Sequence, residues 1–364
     1  MKIAVVGCGG VGGVIAGTLA CKGLDVTCVE SSPGYARKLA EKGISIERKG
    51  KVVTRRVKAV AGFSGVKDRF DLIVLAVKNF DLRSAFEAAI PRLADSGFIL
   101  TIQNGLEVLS IAEEHRSVRV AAGAVGFNAV MLEYGRCKVN SEGGIVVGAL
   151  TGGRSPPSPS AAWPGQSLAR LVEIFGSFLP VSITPAIEGV LWGKLLITCG
   201  VTGLGGAAGL LLGDLLRRRV ARKLFYLVAR EGAAVAAAAG VTVVKMGGAV
   251  NPVKFSSGEG GYPVFLRFLL LKLVGMKYKK LKSNIQVSLE RGNRTEIDYI
   301  NGALVDAGAR LGVPTPVNGE IVRMVKEIEA GKRAMGMKNL REIWQKVSRE
   351  NTPMSPSVRR MLMI

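Results

Sequence analysis

The first 21 residues, MKIAVVGCGGVGGVIAGTLAC (1–21), are compatible with two different structures. One lysine precedes an apolar, glycine-rich run that ends at a cysteine, which is the pattern of a secretory signal of the lipoprotein type. The same residues are also typical of a buried β-strand, a glycine turn and a helix. A signal helix would contain many glycines, each unfavourable by about 1 kcal/mol relative to alanine. The composition therefore favours strand, turn and helix.

The next residues complete a dinucleotide-binding pattern. Gly7, Gly9 and Gly12 have the spacing G-x-G-x-x-G, and LDVTCVE (24–30) is a second apolar strand that ends at Glu30. Glycines at these positions let the backbone turn tightly and approach a pyrophosphate, whose charge then lies at the helix N-terminus. The residues predicted to form this cofactor-binding turn are Gly7, Cys8, Gly9, Gly10, Val11 and Gly12.

Glu30 indicates which dinucleotide binds. A carboxylate at the end of the second strand accepts hydrogen bonds from the ribose hydroxyls of NAD and repels the 2′-phosphate of NADP. No basic residue follows until Arg37 and Lys38. The sequence therefore favours NAD(H) over NADP(H). The alternative is that Glu30 caps the next helix or pairs with those two cations.

The α/β alternation continues through the first half of the chain. DLIVLAVK (71–78) and GFILTIQNG (97–105) predict strands, the first ending at Lys78 and the second at Asn104 and Gly105. Open α/β sheets bind ligands at the carboxyl ends of their parallel strands. GRCKVNSEGGIVVGAL (135–150) predicts a hairpin, and the proline- and serine-rich residues 151–166 predict a loop.

Two domains are expected from length and pattern. The chain has 364 residues, of which 48% are hydrophobic, enough to build two cores. From about residue 185 the pattern is almost wholly helical. We predict an α/β fold: an N-terminal Rossmann dinucleotide-binding domain, residues 1–185, and a C-terminal all-helical domain, residues 186–364. No uninterrupted apolar run approaches the ~20 residues of a membrane span.

Charge and cysteine content limit the class of partner. The chain carries 50 basic and 28 acidic residues, a net charge of +22, which favours anionic ligands. The clusters RRRVARK (217–223) and KYKKLK (277–282) contain few aromatic residues and are more typical of solvated helix faces than of nucleic-acid or membrane sites. Five cysteines without a CxxC pair and a single histidine argue against zinc and fit a reducing compartment. We expect a cytoplasmic protein without a metal.

Lys194 is the first candidate for proton transfer. It is a cation inside the apolar segment EGVLWGKLLITCGVTGLGG (188–206), and Thr198 and Thr202 follow on the same helix face. A buried lysine has a lowered pKa and can donate a proton near neutral pH. The alternative is a lysine that extends to solvent at the helix edge.

Glu296 is the second candidate. It lies in RTEIDYINGALVDAGARLGVPTPVN (294–318), where we predict that it occupies the first turn of a helix. The helix dipole alone favours an acid at that position, and Asp298 competes for the same structural role. The residues by themselves indicate a nicotinamide-type dehydrogenase with a possible Lys194–Glu296 acid–base pair.

Six motifs in order resemble the ketopantoate reductase (2-dehydropantoate 2-reductase) family: GCGGVGG, LAVKNFD, IQNGLE, LWGKLLI, SLERGNRTEIDYING and GVPTPVN. The resemblance extends from residue 1 to about residue 332. It implies a Rossmann domain and a helical domain with the active site in the cleft between them. It further implies reduction of ketopantoate to D-pantoate, on the route to pantothenate and coenzyme A, by a homodimer.

The resemblance also implies roles for individual residues. Lys194 matches the catalytic lysine, which protonates the C2 oxygen as hydride arrives from the nicotinamide. Glu296 matches a glutamate that interacts with the cofactor and the lysine. The other matched cofactor contacts are Lys78, Asn104 and Ala129. The predicted substrate-binding residues are Asn104, Lys194, Thr198, Thr202 and Asn284.

The chain departs from the family pattern in the substrate site. Thr198 and Thr202 replace two asparagines, and in SNIQVSLE (283–290) Asn284 stands where a carboxylate-binding serine is expected. Residues 246–275 are additional, and could lengthen a helix pair or form a dimer surface. The predicted substrate is a small anionic 2-oxoacid, ketopantoate before any other.

Three alternatives to ketopantoate reduction stay open. The first is a related 2-oxoacid or opine-type reductase, which the substitutions in the substrate site favour. The second is a redox-sensing module that binds nucleic acid through its basic surface. The third is a membrane-surface role for residues 264–282. We expect neither a nucleic-acid partner nor a membrane.

Overall fold

The computed structural model describes residues 1–150, 168–176, 178–245, 250–257 and 260–349. The chain divides into two units, Met1–Gln103 with Glu107–Glu188, and Asn104–Leu106 with Gly189–Ile364. The domain prediction assigned residues 104–106 to the first unit, whereas the structure assigns them to the second, where Leu106 packs against the core. The predicted loop 151–166 lies outside the described residues.

The first unit alternates strands and helices, as its sequence pattern predicts. Its elements are β1 (Lys2–Val6), α1 (Gly10–Cys21), β2 (Asp25–Glu30), α2 (Pro33–Lys42), β3 (Ile44–Arg48), β4 (Lys51–Arg55), β5 (Lys58–Ala61), β6 (Phe70–Leu75), α3 (Asn79–Ala89), β7 (Leu93–Thr101), α4 (Glu107–Glu114), β8 (Val120–Val125), β9 (Asn128–Glu133), β10 (Arg136–Ser141), β11 (Ile145–Leu150), α5 (Ala169–Phe175) and β12 (Val181–Ile183).

Within the described residues, eight strands form the main sheet, in the order β12-β11-β8-β7-β6-β1-β2-β5. All neighbours are parallel except β11 and β8. The central strands are continuous apolar runs, because helices cover both faces of a parallel sheet. The strand order reverses at β1, which has β2 on one side and β6 on the other. This reversal is the point at which open α/β sheets bind ligands, and the glycine turn follows β1 directly.

A second sheet, in the order β4-β3-β10-β9, packs on helix α1. Glycines on one face of α1 allow the close approach, since a Cβ at Gly10 would lie 2.6 Å from the Ala129 carbonyl oxygen. A Cβ at Gly13 would lie 2.4 Å from Cys137 Sγ. The glycines that weigh against a signal helix therefore also serve packing.

The predicted hairpin over residues 135–150 is wrong. Strand β10 pairs with β9 and β3, and strand β11 pairs antiparallel with β8 in the other sheet. The exposure of each strand explains the separation: of β10 only Cys137 is buried, whereas β11 carries the buried Ile145 and Val147. A strand with one covered face fits the small sheet, and an apolar strand fits the covered main sheet.

The second unit is helical. Its elements are α6 (Ile187–Thr198), a π-helical turn (Cys199–Gly203), α7 (Leu204–Ala208), α8 (Leu212–Arg217), α9 (Arg219–Ala238), α10 (Pro252–Ser256), α11 (Val264–Lys277), α12 (Asn284–Glu290), α13 (Asn301–Leu311), α14 (Pro316–Glu329) and α15 (Met337–Arg349). Buried residues of α6, α7, α9, α13, α14 and α15 form one core.

The helical stretch Ile187–Ala208 is long and apolar enough to cross a membrane by length and composition alone. Its apolar window is 78% buried inside the protein, and Leu195 and Leu196 are each 1% exposed. A helix that contributes this much to a core passes the same test of length and composition, so the stretch is weak evidence for a membrane span.

Candidate functional site

The glycine turn between β1 and α1 is held by a backbone hydrogen bond from Gly7 and by close packing of Gly12 against the Gly7 carbonyl group. Gly7 has φ +84°, a conformation that favours glycine, and its N–H donates to the Val29 carbonyl oxygen over 2.9 Å. A Cβ at Gly12 would lie 2.1 Å from the Gly7 carbonyl oxygen. Only glycine fits at position 12 while the turn keeps this form.

Gly9 differs from its neighbours because a Cβ there would meet nothing within 4 Å. It is the N-cap of α1, a helix of 12 residues, so the space beside it lies at the positive end of a helix dipole. An open position at this end of a helix is suited to a pyrophosphate. The turn therefore fits a dinucleotide.

Gly9→Ala and Gly12→Ala form a matched pair that tests this assignment. We expect Gly9→Ala to keep its melting temperature and to lose at least about tenfold in NADH affinity, because the methyl group occupies the pyrophosphate space. Gly12→Ala is expected to lower the free energy of unfolding by about 3 kcal/mol through overpacking. Thermal melts and NADH fluorescence titrations measure both. Wild-type NADH affinity in Gly9→Ala would contradict the assignment.

Glu30 ends β2 beside the turn, as predicted. It is 8% exposed, its Oε1 accepts a hydrogen bond from the Cys8 N–H, and burial raises its pKa. It does not cap the next helix, because Ser32 is the N-cap of α2 and accepts from the Tyr35 N–H over 3.3 Å. Among the ion pairs of the described residues none involves Glu30. The two structural alternatives for Glu30 are thus not realised.

The structure adds two residues that the sequence did not single out: Tyr35 bonds to the turn itself, and Gln103 bonds to the end of β6 and to Val77, which packs against Gly7. The Tyr35 hydroxyl donates to the Cys8 carbonyl oxygen over 2.6 Å. The Gln103 side-chain amide donates to the carbonyl oxygens of Leu75 over 2.8 Å and Val77 over 3.1 Å. Gln103 lies inside the quoted IQNGLE motif, whereas Tyr35 had no signal beyond its position after Glu30.

The other predicted cofactor contacts either follow a strand of the main sheet or lie beside the turn. Strand β6 ends at Leu75, before the predicted end at Lys78, and Lys78 is the exposed N-cap of α3. Ala129 lies on β9, with its carbonyl oxygen against Gly10. Asn104 follows β7 and belongs to the second unit.

Lys194 lies in the second half of α6 and is partly buried. Its neighbours Leu195, Leu196 and Trp192 are no more than 4% exposed. Burial lowers the pKa of Lys194 to about 8. The side chain therefore has the property expected of a proton donor near neutral pH.

Thr198 and Thr202 use their hydroxyl hydrogens within the helix. The Thr198 hydroxyl donates to the Lys194 carbonyl oxygen, and the Thr202 hydroxyl donates to the Thr198 carbonyl oxygen, each over 2.8 Å. Each hydroxyl can therefore only accept a hydrogen bond from a ligand. The asparagines that they replace offer donors as well as an acceptor.

The prediction that Glu296 lies in the first turn of an α-helix is wrong. It precedes a short 3₁₀ turn, Ile297–Tyr299, and α13 begins only at Asn301. Glu296 is 8% exposed, whereas Asp298 is half-exposed and pairs with Lys326 over 2.6 Å. Asp298 therefore takes the structural ion pair, and Glu296 is the buried acid of this motif.

Asn284 is exposed as the first residue of α12. Ser283 precedes it, is 6% exposed, and accepts from the Gln286 N–H over 3.0 Å as the N-cap. A Cβ at Gly205 would lie 3.1 Å from Ser283 Oγ, so Ser283 faces α7. The buried hydroxyl at the start of α12 is therefore that of Ser283, the first residue of the SNIQV segment. The sequence prediction named Asn284 and not Ser283.

A glycine turn at the reversal point of a parallel sheet, an acidic end on the second strand, and a partly buried lysine of lowered pKa define a nicotinamide-dependent oxidoreductase. The chain belongs to the ketopantoate reductase family. Residues 3–152 match the family model "Ketopantoate reductase PanE/ApbA", and residues 186–329 match "Ketopantoate reductase PanE/ApbA C terminal". Members of this family are NAD(P)H-dependent oxidoreductases that act on a CH–OH group.

The chain is similar to curated relatives of this family and shares its fold with solved structures. A 2-dehydropantoate 2-reductase of Pyrococcus abyssi is 25% identical over 338 residues, which cover 91% of this chain and 98% of the relative. A PanE/ApbA family ketopantoate reductase of Ralstonia eutropha is 28% identical, with a TM-score of 0.73 over 92% of this chain and 100% of its own. A D-mandelate dehydrogenase with NADH and anilino(oxo)acetate is 21% identical, with a TM-score of 0.75 over 92% and 100% of the two chains.

Proposed function

We propose that this protein is a 2-dehydropantoate 2-reductase that reduces ketopantoate to D-pantoate with NADH. The observation that carries the proposal is Lys194, partly buried with a pKa of about 8, in a chain of the ketopantoate reductase family. The nicotinamide supplies the hydride. The Lys194 ammonium donates the proton to the C2 oxygen, so that the keto group becomes a hydroxyl.

The remaining residues have supporting roles in this proposal. Glu30 accepts hydrogen bonds from the ribose hydroxyls, and its charge disfavours a 2′-phosphate. Lys78, Asn104 and Ala129 contact the cofactor, and Glu296 orients Lys194 and the cofactor. The substrate carboxylate is held by polar groups that include Ser283. The free thiols among the described residues fit the reducing cytoplasm as the site of action.

The test is steady-state reduction of ketopantoate, followed by NADH or NADPH absorbance, beside a panel of branched, aromatic and amino-linked 2-oxoacids. We expect the highest kcat/KM for ketopantoate with NADH. A protein that binds NADH and reduces another 2-oxoacid at least about tenfold better would refute the substrate assignment while preserving the reaction.

A second candidate substrate class has one observation in its favour. The Thr198 and Thr202 hydroxyls donate to the helix backbone, so they have no donor for a substrate oxygen. A 2-oxoacid with an apolar group at this surface needs no such donor and is the second candidate, whereas the hydroxyl of ketopantoate can still donate to the threonine oxygens. A D-mandelate dehydrogenase of similar fold has been solved with an aromatic oxoacid derivative, anilino(oxo)acetate. Aromatic 2-oxoacids therefore belong in the substrate panel.

We also propose that two copies of the chain associate through α11. Four large apolar side chains on this helix are exposed, Phe265 by 71%, Leu269 by 45%, Leu273 by 49% and Met276 by 70%. At 1.5 Å per residue they form a stripe about 16 Å long. Antiparallel pairing of two copies covers both stripes and keeps the basic ends, residues 277–282, apart, which avoids repulsion between like charges.

Phe265→Glu combined with Leu273→Glu is expected to convert the dimer to a monomer. Two carboxylates from each copy would be desolvated at the centre of the contact, which raises the dissociation constant by at least about 100-fold. Light scattering coupled to gel filtration measures the mass. Leu132→Glu, at a 48% exposed leucine of the first unit, is the matched control and should leave the mass unchanged. A dimer that persists in the double variant would exclude α11 as the interface.

A further inference from the structure

The helix that carries Lys194 contains a π-helical turn, Cys199–Gly203, between α6 and α7. A π turn holds an extra residue relative to an α-helical turn, and such turns are frequent at functional sites. If this turn became α-helical, the helix would accommodate one residue fewer there, and the residues that follow the turn would rotate about the helix axis by about 100°. The turn therefore sets where Thr202 and helix α7 point relative to Lys194.

Two glycines in this turn allow neighbouring side chains to pack closely against its backbone. A Cβ at Gly200 would lie 2.6 Å from the Phe225 ring. A Cβ at Gly203 would lie 2.5 Å from Asn301 Oδ1 and 2.9 Å from Ile321 Cγ2. The second contact is with a polar side chain, so the π turn is packed directly against Asn301.

Asn301 contacts both ends of the turn. It is fully buried, and its Nδ2 lies 3.4 Å from the Cys199 carbonyl oxygen at the first residue of the turn. The same Nδ2 donates to Asn318 Oδ1 over 2.8 Å. Asn301 begins α13, five residues after Glu296, so it joins the Glu296 segment to the Lys194 helix.

Asn318 and Glu231 hold Asn301 in turn. The Asn318 Nδ2 donates to Glu231 Oε2 over 2.7 Å, and both oxygens of Glu231 accept backbone N–H groups at the start of α14, from Val317 over 2.8 Å and Asn318 over 3.0 Å. The carboxylate fixes the Asn318 amide so that its oxygen faces Asn301. A chain of side-chain hydrogen bonds thus runs from α9 through α14 and α13 to the π turn.

We infer that Asn301 is a positioning residue that, by holding the π turn Cys199–Gly203, sets the relative placement of Lys194 and Thr202. The inference rests on the proposed function, since it concerns the same proton donor and substrate site. Without the amide, the turn loses the side-chain hydrogen bond that reaches it from α13 and keeps its packing and the local Thr202–Thr198 hydrogen bond, which do not prevent relaxation to α-helical geometry. A displacement of about 1 Å between reacting groups is enough to cost about 100-fold in rate.

Asn301→Ala tests the inference, with Asn339→Ala as the matched control. Asn339 is also fully buried, and its Nδ2 donates to the Ala207 carbonyl oxygen over 2.8 Å, farther along the same helical stretch. We expect Asn301→Ala to lose about 100-fold in kcat/KM, to raise the KM of the 2-oxoacid and to leave the NADH dissociation constant unchanged. Asn339→Ala is expected to lower the melting temperature similarly and to keep kcat/KM within about threefold.

A second readout does not depend on the substrate. Acetic anhydride labels neutral lysine amines, and peptide mass spectrometry gives the pH of half-maximal labelling of Lys194. We expect a midpoint near pH 8 in the wild type and about one unit higher in Asn301→Ala, because a loosened turn admits water to the amine. If the wild type reduces no 2-oxoacid, the proposed function fails, and this labelling result alone decides the positioning role.

Wild-type kinetics and labelling in Asn301→Ala would overturn the inference, as would equal losses in Asn339→Ala. Asn301→Leu covers the case in which the alanine variant does not fold. It keeps about the same side-chain shape and has neither a donor nor a charge, so it should reproduce both the kinetic loss and the labelling shift.

Discussion

Lys194→Ala is expected to lower kcat for 2-oxoacid reduction by about 10³-fold while leaving the NADH dissociation constant unchanged. The loss falls in the range for removal of a positioned proton donor. NADH affinity is preserved because the glycine turn and Glu30 belong to the other unit of the chain. Stopped-flow kinetics at saturating substrate and fluorescence titration of NADH measure the two quantities.

The pH profile gives the same residue a second test. Reduction requires the ammonium form of Lys194, whose pKa is lowered to about 8. In the wild type, kcat for reduction should be level below pH 8 and fall about tenfold per unit above it. Oxidation of the alcohol requires the neutral amine and should rise through the same pH. Lys194→Ala should lack both dependences.

Lys223→Ala is the matched control for the lysine substitution. Lys223 lies in the same unit, is 9% exposed and stacks over the Trp344 ring at 5.1 Å, and burial lowers its pKa as well. Burial and a lowered pKa are thus common to both lysines, and only Lys194 is assigned to proton transfer. If Lys223→Ala loses as much activity as Lys194→Ala, the loss reports damage to the helical unit rather than removal of a proton donor.

The parts of the fold that the sequence predicts are those whose signals are local. Residues 1–30 contain a buried strand, a glycine turn, a helix and an acidic strand end in the observed order. The hairpin error has the opposite origin. The sequence of residues 135–150 does not indicate that β10 and β11 belong to different sheets. Their placement depends on pairing with β9 and β8, respectively, and on which strand faces are covered. The hydrophobic pattern does not predict strands β3, β4 and β5, because Ile44 and Ile46 are the only buried residues among them.

The candidate site follows the same division. Lys194 and Glu296 stand in distinctive motifs, and both are buried or partly buried in the structure. The sequence predicts Asn284 at the start of α12, because the sequence alone does not show where that helix begins. In the structure Ser283 is the buried N-cap of α12 and Asn284 is exposed, which is why Ser283 enters the proposal beside Asn284. The π turn has no local sequence signal, since its glycines have meaning only once Phe225 and Asn301 are placed.

Glu30→Gln is expected to change the ratio of kcat/KM for NADH to that for NADPH by about 100-fold, in favour of NADPH. The glutamine oxygen can still accept from the Cys8 N–H, so the turn keeps its support. What is lost is the charge, which strengthens the hydrogen bonds from the ribose hydroxyls by about 1–2 kcal/mol and repels the 2′-phosphate. Initial rates with each cofactor at subsaturating concentration give the ratio.

Asp25→Asn, at the other end of the same strand, is the control for this change of charge. Asp25 is exposed and pairs with Lys58 over 2.8 Å, so its neutralisation alters the net charge equally without altering the ribose site. The ratio should stay within about twofold of the wild type, because a pair in solvent is screened within about 10 Å. An unchanged ratio in Glu30→Gln, or a wild type that uses NADPH as well as NADH, would show that the buried carboxylate serves the turn through Cys8 and does not select the cofactor.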